Sequence, residues 1–171
     1  MICYKNENSY EYKTVEFDLN EYIKKIEIGS NVPRSGIVIL PHENWHNSRC
    51  IFMPETFIFF KWIKHKEGIK ENISILDVKE KKIVDLRAAT IWFPLVYLFS
   101  DVSIPIYLNM VANYLYDKFK GALGSDKCEI KLELLIENKC DKKTKKFSYE
   151  GSYHGFKEIV KRIDFDKMME N

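Results

Sequence analysis

Several signatures of common enzyme chemistry are missing from this 171-residue chain. It holds no Walker loop, no G-x-G-x-x-G, no G-x-S-x-G and no C-x-x-C. Only seven glycines are present, which leaves little for a phosphate cradle and argues against a nucleotide-dependent enzyme. Cysteine is sparse too. Cys3, Cys50, Cys128 and Cys140 stand far apart, too few for a disulfide scaffold, and read as reduced thiols of a cytoplasmic protein. The start, MICYKNENSYEYK, turns polar after four residues and has no apolar signal core. A charge excess of either sign is also lacking. Against 25 acidic residues stand 27 basic ones, so the net charge of +2 gives no global case for nucleic acid as a partner.

What is present suits one globular domain over residues 1–171. Hydrophobic residues make up 46% and aromatics 14%, enough for a core and too many for disorder. The heavy use of Lys, Asn, Ile and Tyr matches the bias of an AT-rich bacterial genome.

The longest apolar stretch is AATIWFPLVYLFSDVSIPIYLNMVANYLYDKF. Ser100, Asp101 and Ser103 interrupt it, with Pro94 and Pro105 on either side. Neither half reaches the ~20 apolar residues of a spanning helix. Asn109, Asn113 and Asp117 add a polar stripe at spacing four. The stretch therefore reads as two buried core helices over about 90–120, with no membrane span.

Other elements follow from their patterns. Residues 10–17 read as a strand. DLNEYIKKIEIG reads as a short helix capped by Asp18, with Glu21 at capping-box spacing. GIVIL is a continuous β-branched run and so a buried strand. PETFIFFKWIKHKEG has Pro54 and Glu55 at a helix start, then Lys64, His65 and Gly68 at its end. Ile73 and Ile75 mark another strand. KCEIKLELLIEN alternates cleanly, and KFSYEG returns after a lysine-rich turn, giving a β-hairpin over 127–150. Phe156, Ile159, Val160 and Ile163 have helical spacing. The expected class is α+β: a small mixed or antiparallel sheet against the two apolar helices, closed by the hairpin and a helix.

The most chemical-looking segment is HENWH, which fits H-E-x-x-H. On a helix, His42 and His46 would bind zinc from one side, with Glu43 as general base on the metal-bound water. The context opposes this. Pro41 directly precedes His42, Asn47 follows His46, and Pro41 and Pro54 fence the segment. The extended metzincin pattern would need Gly at 49 and His at 52, where Arg49 and Phe52 stand. Glu67 or Glu71 could serve on paper as a third ligand. His42, His46 and Cys50 would span ~12 Å along a helix, too far for one metal. A polar loop after a buried strand is the simpler reading, with no catalytic residue and no metal or other cofactor. Zinc on His42 and His46, with Glu43 catalytic, is the alternative.

Weaker candidates remain. Asp85 and Arg87 could pair or bind phosphate. Asp101 fits a turn, or an acid if buried. Lys142, Lys143, Lys145 and Lys146, in the turn over 138–146, could contact nucleic-acid phosphates but fit a solvated turn better. Cys140 beside them could be a reactive thiol, paired with His154.

Tyr97, Phe99, Tyr107, Tyr114, Tyr116 and Phe119 put aromatic bulk on more than one face of the 90–120 segment. Surplus apolar surface marks an interface. The function expected first is thus a non-catalytic interaction or assembly module. It self-associates or docks on a protein partner, as an accessory or oligomerising subunit of a bacterial system, immunity systems included. The alternatives are the zinc-dependent hydrolase and, weaker, nucleic-acid binding through the lysine turn.

Overall fold

The computed structural model describes residues 2–6, 10–26, 32–33, 36–43, 50–66, 72–78, 82–83, 90–99, 104–120, 128–138 and 141–164, with backbone alone for 2–6. The elements run β1 (Ile2–Asn6), β2 (Tyr10–Phe17), α1 (Leu19–Lys25), β3 (Ile37–Leu40), β4 (Ile51–Phe52), α2 (Glu55–His65) and β5 (Ile73–Ile75). Then come β6 (Lys82–Ile83), β7 (Thr90–Leu98), α3 (Ile104–Phe119), β8 (Glu129–Glu137), β9 (Thr144–Ser152) and α4 (Tyr153–Arg162). Seven strands form one sheet in the order β1-β2-β9-β8-β7-β3-β5, and β4 and β6 form a second pair. The sheet is mixed: β7 with β8 and β3 with β5 are parallel, and the other neighbours are antiparallel. This is the expected α+β class, with a larger main sheet.

The cap read at Asp18 is realised. The Glu21 N–H donates to the Asp18 side chain at 2.9 Å, which starts α1. Ser152 starts α4 by accepting from the Gly155 N–H at 3.1 Å. The hairpin pairs β8 and β9 from Glu129–Ser152 to Glu137–Thr144 without a slip. The expected helix end at Gly68 lies outside the described residues.

One element differs from expectation. Residues Thr90–Leu98 are a strand and not the first of two apolar helices; only α3 is helical. The run is apolar throughout because β7 is a central strand with both faces covered, so it shows no alternation to give it away. Pro94 is tolerated because the register with β8 shifts between Trp92 and Leu95. An irregularity there removes the need for a ladder N–H. β7 then connects to parallel β8 through α3, the crossover that parallel strands require.

α2, α3 and α4 cover one face of the sheet. Phe93 of β7 meets Phe59 of α2 at 5.2 Å between ring centres and Tyr114 of α3 at 5.8 Å. Tyr149 of β9 meets Phe156 of α4 at 5.4 Å. Side chains alternate along β2, so Phe17 faces the reverse side from Tyr12, which packs on Phe147. There Tyr22 of α1 packs on Phe17 at 5.7 Å and donates its hydroxyl to the Pro41 carbonyl at 2.5 Å. α1 thus covers part of the reverse face. Elsewhere that face carries Trp92 of β7 and the charged side chains of β8 and β9.

Candidate functional site

His42 leaves the end of β3 on that reverse face. Its backbone forms a two-way bridge to Ile51, with the N–H donating at 2.7 Å and the carbonyl accepting at 3.1 Å. The ring is 7% exposed and edge-on to Trp92, 5.9 Å away. Nδ1 lies 3.2 Å from Glu133 Oε2. The other Glu133 oxygen takes Lys146 Nζ at 2.7 Å. Burial pushes the Glu133 carboxyl up, but the hydrogen bond from His42 and the charge of Lys146 outweigh it and hold it at about 2. Lys131 lies over the Trp92 ring at 5.2 Å and pairs with Glu150 at 2.9 Å. The reverse face is thus laced by opposite charges and offers no single-sign field.

The carboxylate holds His42 Nδ1, which leaves Nε2 buried and without a hydrogen-bond partner among the described residues. A carboxylate partner of this kind orients an imidazole for work at its second nitrogen. Glu43 points elsewhere, with Lys25 Nζ 3.9 Å from its Oε2. His46 and Trp45 lie outside the described residues, as do Asp85, Arg87, Asp101, Cys140, Glu67 and Glu71. No group of three His, Cys, Asp or Glu that could hold a metal occurs among the described residues. Cys50 and Cys128 are not in disulfides, and burial pushes the Cys128 thiol up, away from nucleophilic use.

The four candidate lysines of the hairpin do not share a surface. Lys142 and Lys143 are exposed at the turn, where Lys142 has φ 56 and the Lys143 N–H donates to Asp141 at 3.0 Å. Lys145 is buried on the helix-covered side, and Lys146 is spent on Glu133.

The six candidate interface aromatics also divide. Tyr97, Tyr107 and Tyr114 are buried in the core. The Tyr97 hydroxyl donates to Glu137, and the Tyr114 hydroxyl to buried Glu55 of α2, which also takes Lys118 at 2.5 Å. Trp62 of α2 donates to Asp117 at 3.1 Å, and Lys66 joins it at 2.8 Å. These bonds fasten α3 to α2, so the side of α3 bearing Tyr114 and Asp117 is committed internally. Phe99 is half-buried against Tyr97. Phe119 is half-buried against Tyr153 of α4 at 5.6 Å.

Tyr116 alone of the six is exposed, at 58%. It belongs to an outward stripe of α3 at spacings three and four: Ile106, Asn109, Asn113, Tyr116 and Lys120. Ile106 is 42% exposed. Burial and the nearby Tyr116 push the Tyr153 hydroxyl up, and Lys157 lies over the Tyr153 ring at 4.7 Å. Tyr116, Phe119 and Tyr153 therefore form one aromatic patch across α3 and α4. Ile106, Tyr153, Lys157 and Glu133 were not legible as site residues. For the first the stripe spacing was an available signal, while the others depend on the packing of α4 and on strand order. No protein-family model, curated protein or solved structure matches this chain.

Proposed function

We propose that the chain is a non-catalytic interaction or assembly module and that the outer face of α3 with α4 is its docking face. The observation behind this reading is the exposed Tyr116, continuous with Phe119 and Tyr153 and in line with exposed Ile106. Large apolar side chains held together on a rigid, well-packed helix pair suit a partner's anchor residues. The companion expectation is an accessory subunit of a larger bacterial system. The test is native sizing of the chain in extracts of the cells that make it. A size well above the 20.3 kDa of one chain, returned to one chain by Ile106→Glu with Tyr116→Glu, supports the reading. A single-chain size for the wild type overturns it.

One observation favours a second reading, a zinc-dependent hydrolase. His42 presents a carboxylate-oriented imidazole whose Nε2 has no hydrogen-bond partner among the described residues, the arrangement found behind metal-ligating histidines. His46 would supply the second ligand, and Glu43 would have to turn from Lys25 to serve as the general base. Elemental analysis of tag-free protein decides it. Near-stoichiometric zinc that disappears in His42→Ala supports it, and metal-free protein removes it.

A further inference from the structure

Building on the docking face just proposed, we propose that its partner is an acidic, amphipathic protein segment, which sets carboxylates on Lys120 and Lys157 and an apolar residue on Tyr116 and Tyr153.

The charge around the patch selects this chemistry. From α3 through Lys120, and along α4, the cations are Lys118, Lys120, Lys157, Lys161 and Arg162, against the carboxylates Asp117 and Glu158. Both carboxylates are already held. Asp117 takes Lys66 and Trp62, whose hydrogen bonds keep it below the usual carboxylate range. Glu158 takes Arg162 at 2.9 Å and Lys161 at 4.0 Å. Lys118 is spent on Glu55. Lys120 and Lys157 are exposed and make no salt bridge to any described residue. Each stands one helical turn beyond an aromatic of the patch, Lys120 after Tyr116 and Lys157 after Tyr153. Cations that make no salt bridge among the described residues, beside the exposed Tyr116 ring and the half-buried Tyr153 ring, complement a surface of carboxylates and apolar side chains.

The same geometry disfavours the other occupants. A second copy would meet this face with the identical face, adding two more lysines without salt bridges and, among the described residues, no unpaired carboxylate to complement them. Nucleic acid would need a longer run of cations than Lys120 and Lys157 to track its backbone. The hairpin lysines, which would have to extend such a site, point to different sides of the sheet.

Fluorescence anisotropy on the full chain tests the proposal. The probes are a labelled 20-residue amphipathic helix of Leu and Glu, the same helix with every Glu replaced by Lys, and a single-stranded oligothymidine. The Glu peptide should bind at least tenfold more tightly than either other probe. Lys120→Glu with Lys157→Glu, both at exposed positions and with the fold checked by circular dichroism, should weaken it at least tenfold, and Tyr116→Ala should weaken it too. Raising salt should weaken it several-fold. Equal binding of the Lys peptide or the oligothymidine, or an affinity indifferent to the charge reversal, overturns the proposal. A two-chain mass that Tyr116→Glu returns to one chain, with no binding of the Glu peptide, overturns the acidic partner and leaves the docking face standing. A single-chain size in native extracts, by contrast, removes the docking face itself.

Discussion

His42 Nδ1 lies 3.2 Å from Glu133 Oε2, joining the residue that follows β3 to a strand two places away in the sheet. β7 lies between them, and its Trp92 stands edge-on to the imidazole. Glu133 is in turn bound to Lys146 of β9. One carboxylate therefore ties together the exit of β3 and the two strands of the hairpin.

This tie makes stability depend on pH in a defined direction. The Glu133 carboxyl is held at about 2, below its ordinary 4.5. A depressed carboxylate stabilises the fold above its unfolded-state value, and that contribution fades as pH falls from about 4.5 towards 2. Glu133→Gln should cost on the order of 2–3 kcal/mol at pH 7. Urea unfolding at pH 7 and pH 2.5 checks this. The gap between wild type and Glu133→Gln should narrow sharply at the lower pH, and a constant gap would contradict the assignment.

Gly36 opens β3 with φ +73, and a Cβ there would stand 2.0 Å from the Asn72 carbonyl oxygen. That oxygen also accepts from the Ile37 N–H at 2.8 Å, so it cannot move away without loosening β3. Gly36→Ala should cost about 2 kcal/mol or more, from the left-handed backbone and the clash together. Denaturant midpoints measure it, and a loss under about 0.5 kcal/mol would show that the turn is not confined.

Phe59 is the hub of the aromatic core. It meets Phe93 at 5.2 Å, Tyr114 at 5.1 Å and Tyr107 at 6.2 Å, joining α2, α3 and β7. Phe59→Ala should cost about 3–5 kcal/mol. It should also loosen the side of α3 opposite the docking face, which hydrogen exchange along α3 would register as lost protection.

Much of this fold is legible in the residues themselves. Alternation from Cys128 to Leu134 marks β8, and Asp18 with Glu21 marks the start of α1. β7 is hidden for a physical reason. A strand buried on both faces is apolar at every position, and its length and neighbouring apolar helix make it read as helix. Confusing the two also misplaces aromatic surface. Tyr97 packs within a sheet, and Tyr107 and Tyr114 turn inward because β7 lies beneath α3. The docking face is legible only in part: α3's 3-4 spacing shows Ile106 and Tyr116 on one stripe, but Tyr153 and Lys157 join through tertiary packing. HENWH shows its residue types in sequence, while the carboxylate that orients His42 comes from a strand 91 residues later.

The most direct test is photo-crosslinking from position 116 in the cells that naturally make the protein. A benzophenone amino acid at 116 should give one discrete protein adduct, lost on combining it with Lys120→Glu and Lys157→Glu. The same group at position 13, an exposed site on β2 of the reverse face, should give none. No adduct from 116, or equal adducts from both positions, would contradict a docking face on α3 and α4.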